Sequence, residues 1–219
     1  ANATNTEVDT YQFNLYGSYS IDEATYVAGQ LGYAFSSNDT LRKNLGGVNN
    51  LNANGEFDAD QFIARAEIGR SYEAGSNATI TPKALVNYIH YDADDYTETG
   101  AGGAGLTVDS EELNIFEIGL GATADWLVQQ ANGAYLKPEI RLGFRYDVIG
   151  DEVETTSVLI GTGESFNNTG FDSQDFSIDA GVGVTYYTTN NWDLTANYDY
   201  EYKEDYDSHT GTLRAAYKF

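Results

Sequence analysis

Asp207, Ser208 and His209 have the side chains of a hydrolytic triad, and His90 is the only other histidine in the chain. A triad requires an acid, a base and a nucleophile that the fold brings together in space. Three adjacent residues on a loop do not meet that requirement. We therefore expect no catalytic residues here and predict that the chain is not an enzyme. His90 is interpreted as a residue at the end of a strand, on its apolar side.

Acidic side chains are concentrated in segments between the predicted strands. Carboxylate oxygens are the ligands that Ca²⁺ and Mg²⁺ prefer, although EF-hand spacing is absent. We interpret these segments as a solvated, highly charged exterior and expect no cofactor; a divalent cation bound at these loops is the alternative. The clusters are Asp92, Asp94, Asp95 and Glu98; Asp109, Glu111 and Glu112; Asp151, Glu152 and Glu154; and Glu204, Asp205 and Asp207.

Composition excludes several classes of protein. The 219 residues include 11 Lys plus Arg and 34 Asp plus Glu, a net charge of −23, so no nucleic-acid backbone would be neutralised. With no cysteine there is no disulfide framework and no thiolate site. A hydrophobic content of 41% with 14% aromatic residues argues against disorder. The polar start and the absence of Met indicate no signal peptide, and we expect a processed piece of a longer product.

Apolar and polar residues alternate with a period of two, which is typical of β-strands. Between Trp192 and Lys203, for example, Trp, Leu, Ala and three Tyr residues share one face, and polar residues share the other. The sequence predicts nine strands in one domain, residues 1–219. They are Tyr11–Ile21, Tyr26–Phe35, Gln61–Tyr72, Ile80–Tyr91, Phe116–Trp126, Leu136–Val148, Phe176–Tyr187, Trp192–Lys203 and Thr210–Phe219.

The connections between these strands alternate between short and long, which predicts an antiparallel up-and-down order with all short turns at one end. The long connections are predicted as loops. They are Ser36–Asp60, Asp92–Glu112, Gly150–Gln174 and the shorter Glu204–Ser208.

The alternation fits a soluble β-barrel or sandwich, with its apolar face inward, and a membrane barrel, with its apolar face outward. We favour the all-β transmembrane barrel because the strands reach the roughly 9–11 residues that span a bilayer. Aromatic residues at strand ends support this choice. Arg70 falls on the lipid face, but beside Tyr72 it can extend to the interface. The predicted interface aromatics are Tyr72, Trp126, Tyr186 and Trp192.

Charged residues of both signs collect on the polar face, where they would line a wet or ion-paired lumen. Whether they line a passage or only satisfy one another stays open at this point. The predicted lumen-facing residues are Arg65, Glu67, Lys83, Glu117, Lys137, Glu139, Arg141, Arg145, Asp193, Arg214 and Lys218.

The C-terminal segment, with Leu213, Ala215, Tyr217 and Phe219 on one face, resembles the signature of bacterial outer-membrane barrels. More specifically, the chain resembles the translocator β-barrel of type V autotransporters. The pieces that carry this resemblance, in order along the chain, are Thr81-Pro82, Tyr96–Gly100, Leu106–Val108, Phe116–Leu120, Lys137–Leu142, Asp179–Gly183, Tyr198–Glu201 and Asp205–Gly211.

The resemblance implies an integral outer-membrane barrel that anchors in the membrane and serves export of an N-terminal passenger. It implies three partners: outer-membrane lipid with lipopolysaccharide, the β-barrel assembly machinery that reads the C-terminal signature, and the passenger. The family barrel has twelve strands; the nine predicted here resemble strands four to twelve, so either strands are missing or the barrel closes with fewer. A stand-alone small porin, or an adhesin that acts through its loops, is the alternative function.

Overall fold

The computed structural model describes residues 3–48, 50–150, 154–170, 175–204 and 206–219. Fifteen strands are present in this part of the chain: β1 (Ala3–Ser20), β2 (Thr25–Lys43), β3 (Ala53–Arg70), β4 (Tyr72–Glu73), β5 (Ala78–Ala93), β6 (Tyr96–Thr97), β7 (Leu106–Ser110), β8 (Leu113–Trp126), β9 (Val128–Gln129), β10 (Tyr135–Asp147), β11 (Glu154–Leu159), β12 (Ser165–Thr169), β13 (Phe176–Tyr187), β14 (Trp192–Lys203) and β15 (Tyr206–Tyr217). Two short 3₁₀ turns, Leu45–Gly47 and Gly102–Ala104, complete the regular structure.

Nine long strands form one antiparallel sheet in the order β1-β2-β3-β5-β8-β10-β13-β14-β15. Each strand pairs with the next long strand along the chain, so the predicted up-and-down, all-β arrangement is confirmed. The sheet curls into a half-barrel, with β1 and β15 at its two ends. In the described segments, no helix combines the length and the apolar character needed to span a membrane.

The side chains of the sheet show a membrane-type arrangement. Large apolar residues on one face stay exposed, including Leu120 at 68%, Val182 at 54% and Leu213 at 87%. The buried apolar residues of the described chain are instead small, mostly alanine, as at Ala34 and Ala59. A soluble barrel would cover its large apolar side chains, because their burial is the main driving force of folding in water. The exposed apolar face is therefore the surface for lipid.

The prediction of a loop over Ser36–Asp60 is wrong for most of that segment. Strand β2 continues to Lys43 and β3 begins at Ala53, with an unbroken register from Thr25 opposite Arg70 to Arg42 opposite Ala53. The hairpin therefore extends well beyond the apolar stretch. On β2 both faces carry polar residues there. On β3 the apolar residues, such as Phe57 and Ala59, move to the face opposite the exposed apolar one, so the apolar stripe of the membrane segment ends and the sequence pattern ended early.

The predictions of long loops over Asp92–Glu112 and Gly150–Gln174 are also wrong in part. Strands β6, β7, β11 and β12 arise from these segments and form a second sheet in the order β12-β11-β7-β6. We call this four-stranded unit the outer sheet. Strand β15 likewise begins at Tyr206, inside the predicted Glu204–Ser208 connection. The predicted acidic residues Asp151, Glu152 and Asp205 lie outside the described residues.

Candidate functional site: a charged concave wall

The residues predicted to face the lumen all lie on one face of the nine-stranded sheet. The register places Glu117 opposite Asn87, Arg145 opposite Gly119, and Arg214 opposite Thr195, so one set of side chains continues across the strands. Arg65, Glu67, Lys83, Lys137, Glu139, Arg141 and Asp193 occupy the same face by the same pairing. Lys218, just past β15, extends to Asp193 on this face, with 2.7 Å between Nζ and Oδ2.

Arg145 on β10 is the centre of the largest ion-pair network on this face. Its guanidinium donates to Glu117 on β8 at 3.0 Å, to Asp179 on β13 at 2.8 and 2.9 Å, and to Glu201 on β14 at 2.6 Å. Lys203 adds a second cation 3.7 Å from Glu117. One side chain can reach strands on both sides, and two strands away, only where the sheet curves toward it. The charged face is therefore the concave one.

A second network lies nearer the short-turn end of the concave face, around Arg141. Its Nη2 and Nε lie 2.7 and 3.2 Å from Oδ1 of Asp199, and its Nη1 pairs with Glu139. The neighbouring glycines make room for these groups. A Cβ atom at Gly181 would lie 2.4 Å from Asp199 Oδ1 and 2.9 Å from the Arg141 guanidinium, so a larger residue there would force the pair apart.

Glu67 is the centre of a third network, toward the β1 side of the sheet. It accepts a hydrogen bond from the Tyr26 hydroxyl at 2.7 Å and pairs with Lys83 at 3.1 Å, while Arg65 is 3.7 Å away. Lys137 pairs with Asp125 at 3.4 Å near the short-turn end. A cavity of about 390 Å³ lies between these networks and is lined by Arg65, Lys83, Arg141, Arg145, Asp179 and Asp199.

Asp125, Asp179, Asp199 and Glu201 complete the networks but are absent from the predicted site. The sequence could have indicated them, because each lies on the polar side of an alternating strand. Alternation assigns a residue to a face, but the partner of each Arg depends on register and curvature, which a single strand does not specify.

The predicted interface aromatics lie at the short-turn end, on the convex face. Trp192 contacts Tyr217 with 5.2 Å between ring centroids, and Tyr217 contacts Phe219 edge-on at 5.5 Å. The Tyr186 hydroxyl accepts a hydrogen bond from Asn132 in a short turn at 3.1 Å. Trp126 ends β8 and Tyr72 forms part of β4 at the same end. Phe219 thus joins an aromatic cluster, and Leu213 and Ala215 continue its face along β15.

Arg70 extends toward the short turn, as its position beside Tyr72 predicts. Its Nη1 lies 3.0 Å from the Thr25 hydroxyl and 3.6 Å from Asp22, and its guanidinium lies 5.9 Å from the centre of the Tyr72 ring. Asp22 also caps this turn by accepting hydrogen bonds from the backbone N–H groups of Ala24 and Thr25 at 2.8 and 2.7 Å. These two bonds lower the pKa of the Asp22 carboxyl.

Asp207, Ser208 and His209 lie on β15, where successive side chains point to opposite faces. His209 contacts Asp207 at 3.1 Å and the Tyr198 hydroxyl at 2.6 Å, all three on the convex face. Ser208 lies opposite Glu201 and therefore belongs to the concave face. The structure keeps the hydroxyl on the other side of the sheet from the histidine. His90, also on the convex face, contacts Asn114 at 3.0 Å.

The acidic clusters at the long-loop end are partly used within the fold. Glu98 pairs with Arg42 and accepts a hydrogen bond from the Leu106 backbone, and Asp95 accepts one from the Ser110 backbone. Across the described ranges, no three acidic, histidine or cysteine side chains converge in the way that metal binding requires.

A curled antiparallel meander that exposes apolar residues outward and gathers ion pairs inside is the arrangement of a membrane-spanning β-barrel. The sequence model of the autotransporter β-domain family matches residues 1–199. The chain therefore belongs to the autotransporter β-domain family. It is an integral β-barrel of the bacterial outer membrane.

Known proteins support the family and the fold. Outer membrane protein B of Rickettsia rickettsii is 24% identical over 221 residues, which covers 98% of this chain and 13% of the relative. Outer membrane protein A of Rickettsia conorii is 26% identical over 185 residues, or 82% of this chain and 9% of the relative. The chain thus spans a small part of the length of these curated relatives.

Two solved structures share the fold. The translocator domain of the autotransporter NalP from Neisseria meningitidis superposes with a TM-score of 0.66 at 18% identity, covering 99% of this chain and 68% of that one. The β-domain of the Bordetella autotransporter BrkA gives 0.60 at 15% identity, covering 96% and 72%. The resemblance predicted from the sequence is confirmed.

Proposed function

We propose that the barrel anchors the protein in the outer membrane and that its charged concave wall is the path along which the passenger is exported. The observation that carries this proposal is the network around Arg145, which places paired charges at membrane depth on the inner face. Such a wall attracts water, and most of its charges are already paired. An unfolded chain can therefore pass in a hydrated state without being held at isolated charges.

The barrel domain itself is not an enzyme in this proposal, and any activity of the whole protein belongs to the passenger. Two features support this view. Ser208 and His209 lie on opposite faces of β15, and the concave charges are engaged with one another. We propose no cofactor for export. A divalent cation at the acidic outer loops is kept as a secondary proposal, supported only by the density of carboxylates there.

Three partners complete the proposal. Outer-membrane lipid contacts the convex face, and lipopolysaccharide would meet its outer rim. The β-barrel assembly machinery would recognise the C-terminal face formed by Leu213, Ala215, Tyr217 and Phe219. The exposure of Leu213 on end strand β15, and of Phe219 just beyond it, supports this proposal. The passenger is the third partner. No nucleic acid is expected, because the net charge is −23.

A stand-alone adhesin or small porin is the second candidate. The observation that favours it is the outer sheet, an ordered four-stranded surface at the long-loop end rather than a set of flexible loops. An adhesin would bind its target through this sheet with no passenger present. A passenger on the cell surface that requires this barrel would exclude the stand-alone function.

Site-specific photocrosslinking during export tests the path. Thr123 lies opposite Arg141 on the concave face, and its neighbour Ala122 lies on the convex face. A photoreactive residue at 123 should crosslink to the passenger while export is slowed, whereas one at 122 should crosslink to lipid. Equal crosslinking at both positions, or passenger adducts only at 122, would show that the concave wall is not the path.

A further inference from the structure

Three half-buried isoleucines form a row across the concave wall, on the long-loop side of the Arg145 network. Ile63 on β3 pairs with Ile89 on β5, and Ile89 pairs with Ile115 on β8. Ile115 lies two residues from Glu117 on the same strand, so the row shares the concave face with the charged networks. The interior of a membrane barrel is normally polar, so an apolar row on this face requires an explanation.

The convex face of the wall is also apolar at this level. Phe62 and Tyr88 lie on that face with 6.5 Å between their ring centroids, and Tyr88 pairs with Phe116. Strands that are apolar on both faces are typical of sheets that other groups cover on both sides. Lipid covers the convex face, but lipid does not reach a row of side chains inside the barrel. The isoleucine row therefore suits an apolar partner that enters the lumen.

Two further rows extend the isoleucine row toward the long-loop end. In the first, Tyr91 on β5 pairs with Leu113 on β8 and with Gln61 on β3, which is the polar member. In the second, the buried residues Ala59 and Ala93 pair with each other. We call these three rows the apolar strip. Four residues separate its first row from its last, which is about 14 Å along a strand.

The spacing of the rows matches an extended polypeptide. Successive rows on one face are two residues apart, about 6.8 Å, and an extended chain presents its same-side residues at this interval. An α-helix repeats about every 5.4 Å along its axis, which does not match the rows. On β3, β5 and β8 the strip begins directly after the row that contains Arg65 and Glu117. A segment that moves outward along the charged wall therefore reaches the strip next.

We propose that the apolar strip is a docking surface for extended passenger segments in which every second residue is apolar. This inference rests on the proposed export path and adds the kind of segment that the path binds. Apolar side chains that leave the charged part of the wall bury surface against the isoleucines, which favours their outward position over their return. Only a few side chains make contact at one time, so the segment is bound weakly enough to leave.

The test uses the whole protein with a short insert in its passenger, either alternating Leu and Ser or alternating Asn and Ser. A photoreactive residue at 89 probes the strip, and one at 123, opposite Arg141, probes the charged wall. While export is slowed, the Leu insert should crosslink at 89 about threefold more than the Asn insert, because it gains apolar contact there. The two inserts should crosslink equally at 123.

The two positions separate this proposal from the export path on which it rests. Adducts at 123, with equal yields of the two inserts at 89 or no adducts there, would overturn the docking role of the strip and leave the path intact. An absence of adducts at both positions would remove the path and the docking role together.

The variant Ile63→Thr with Ile115→Thr shows whether the preference at 89 comes from the isoleucine row. Threonine keeps the β-branched shape but replaces apolar surface with a hydroxyl group, so the preference for the Leu insert should disappear. A preference that persists in this variant would overturn the proposal. Heat-modifiable gel migration shows whether the double variant is folded; should it fail to fold, Ile115→Thr alone gives the same comparison.

Discussion

The guanidinium of Arg145 on β10 donates to both carboxylate oxygens of Glu117 on the adjacent strand β8, at 3.2 and 3.0 Å. The Glu117 side chain is 4% exposed, and Arg145 also pairs with Asp179 and Glu201 on the other side. This single cation therefore links carboxylates from three strands to its own. Arg145 therefore favours the inward curvature of the sheet and offsets part of the negative charge of the wall.

Removing Arg145 should destabilise the folded barrel severely. Arg145→Ala leaves Glu117 buried without its principal cation, and breaking a buried pair in this way costs about 3–5 kcal/mol. Arg145→Lys should recover only part of the lost stability. It restores the positive charge, but an ammonium group cannot form the forked contacts of a guanidinium. Urea unfolding, followed by the change in gel migration between folded and heated protein, measures the free energy of unfolding.

Arg65→Ala is the control for this experiment. The Arg65 side chain is 46% exposed and lies 3.7 Å from Glu67, so its loss should cost no more than about 1 kcal/mol. A similar loss of stability for the two alanine variants would contradict the central role of Arg145.

Adjacent positions on β14 should respond oppositely to a new charge. Ala196 lies on the convex face, opposite Leu213, and Thr195 lies on the concave face, opposite Arg214. Ala196→Arg puts a charge in lipid and should cost about 2–4 kcal/mol, while Thr195→Arg should be mild. Cysteines at the same two positions give a second readout. The fluorescence of a label on a cysteine at 196 should be quenched by lipid-borne quenchers, whereas a cysteine at 195 should react with water-soluble thiol reagents. A reversed pattern would show that the assignment of faces is wrong.

Phe219 should matter for membrane insertion more than its neighbour does. It closes the aromatic cluster with Tyr217 and Trp192 on the lipid side, whereas Lys218 pairs with Asp193 on the other face. Deleting Phe219, or changing it to Asp, should reduce insertion in cells far more than Lys218→Gln does. Quantifying heat-modifiable protein in isolated outer membranes measures this difference. The same yield for all three variants would refute an assembly role for Phe219.

The short turn after β1 should become less stable in acid. Hydrogen bonds from Ala24 and Thr25 lower the Asp22 pKa below its unfolded value of about 4, so the carboxylate stabilises the turn above that pH. The contribution is lost as the pH falls through the lower, folded-state pKa. The difference in unfolding midpoint between the natural protein and Asp22→Ala should therefore shrink on acidification. A difference that stays constant down to the lowest pH would exclude a role for the charged carboxylate.

Which side chains share a face could be read from the sequence alone. Alternation is a local property, because consecutive residues of a strand point to opposite sides whatever the strand pairs with. It therefore placed Glu117, Arg141 and Arg145 together, put Phe219 on the opposite face from Lys218, and ordered the nine long strands. It also led to a resemblance that the family match confirms.

Which residues meet could be seen only in the folded sheet. The contact of Arg145 with Glu201 spans 56 residues and two strand spacings, so it depends on register and curvature together. The Arg42–Glu98 pair also joins residues 56 apart, in a region where the exposed apolar stripe of the membrane segment has ended. Local patterns report the environment on each side of a strand, whereas contacts between distant strands depend on how the whole sheet curls. That difference is why the concave wall was predictable, and the outer sheet with its Arg42–Glu98 contact was not.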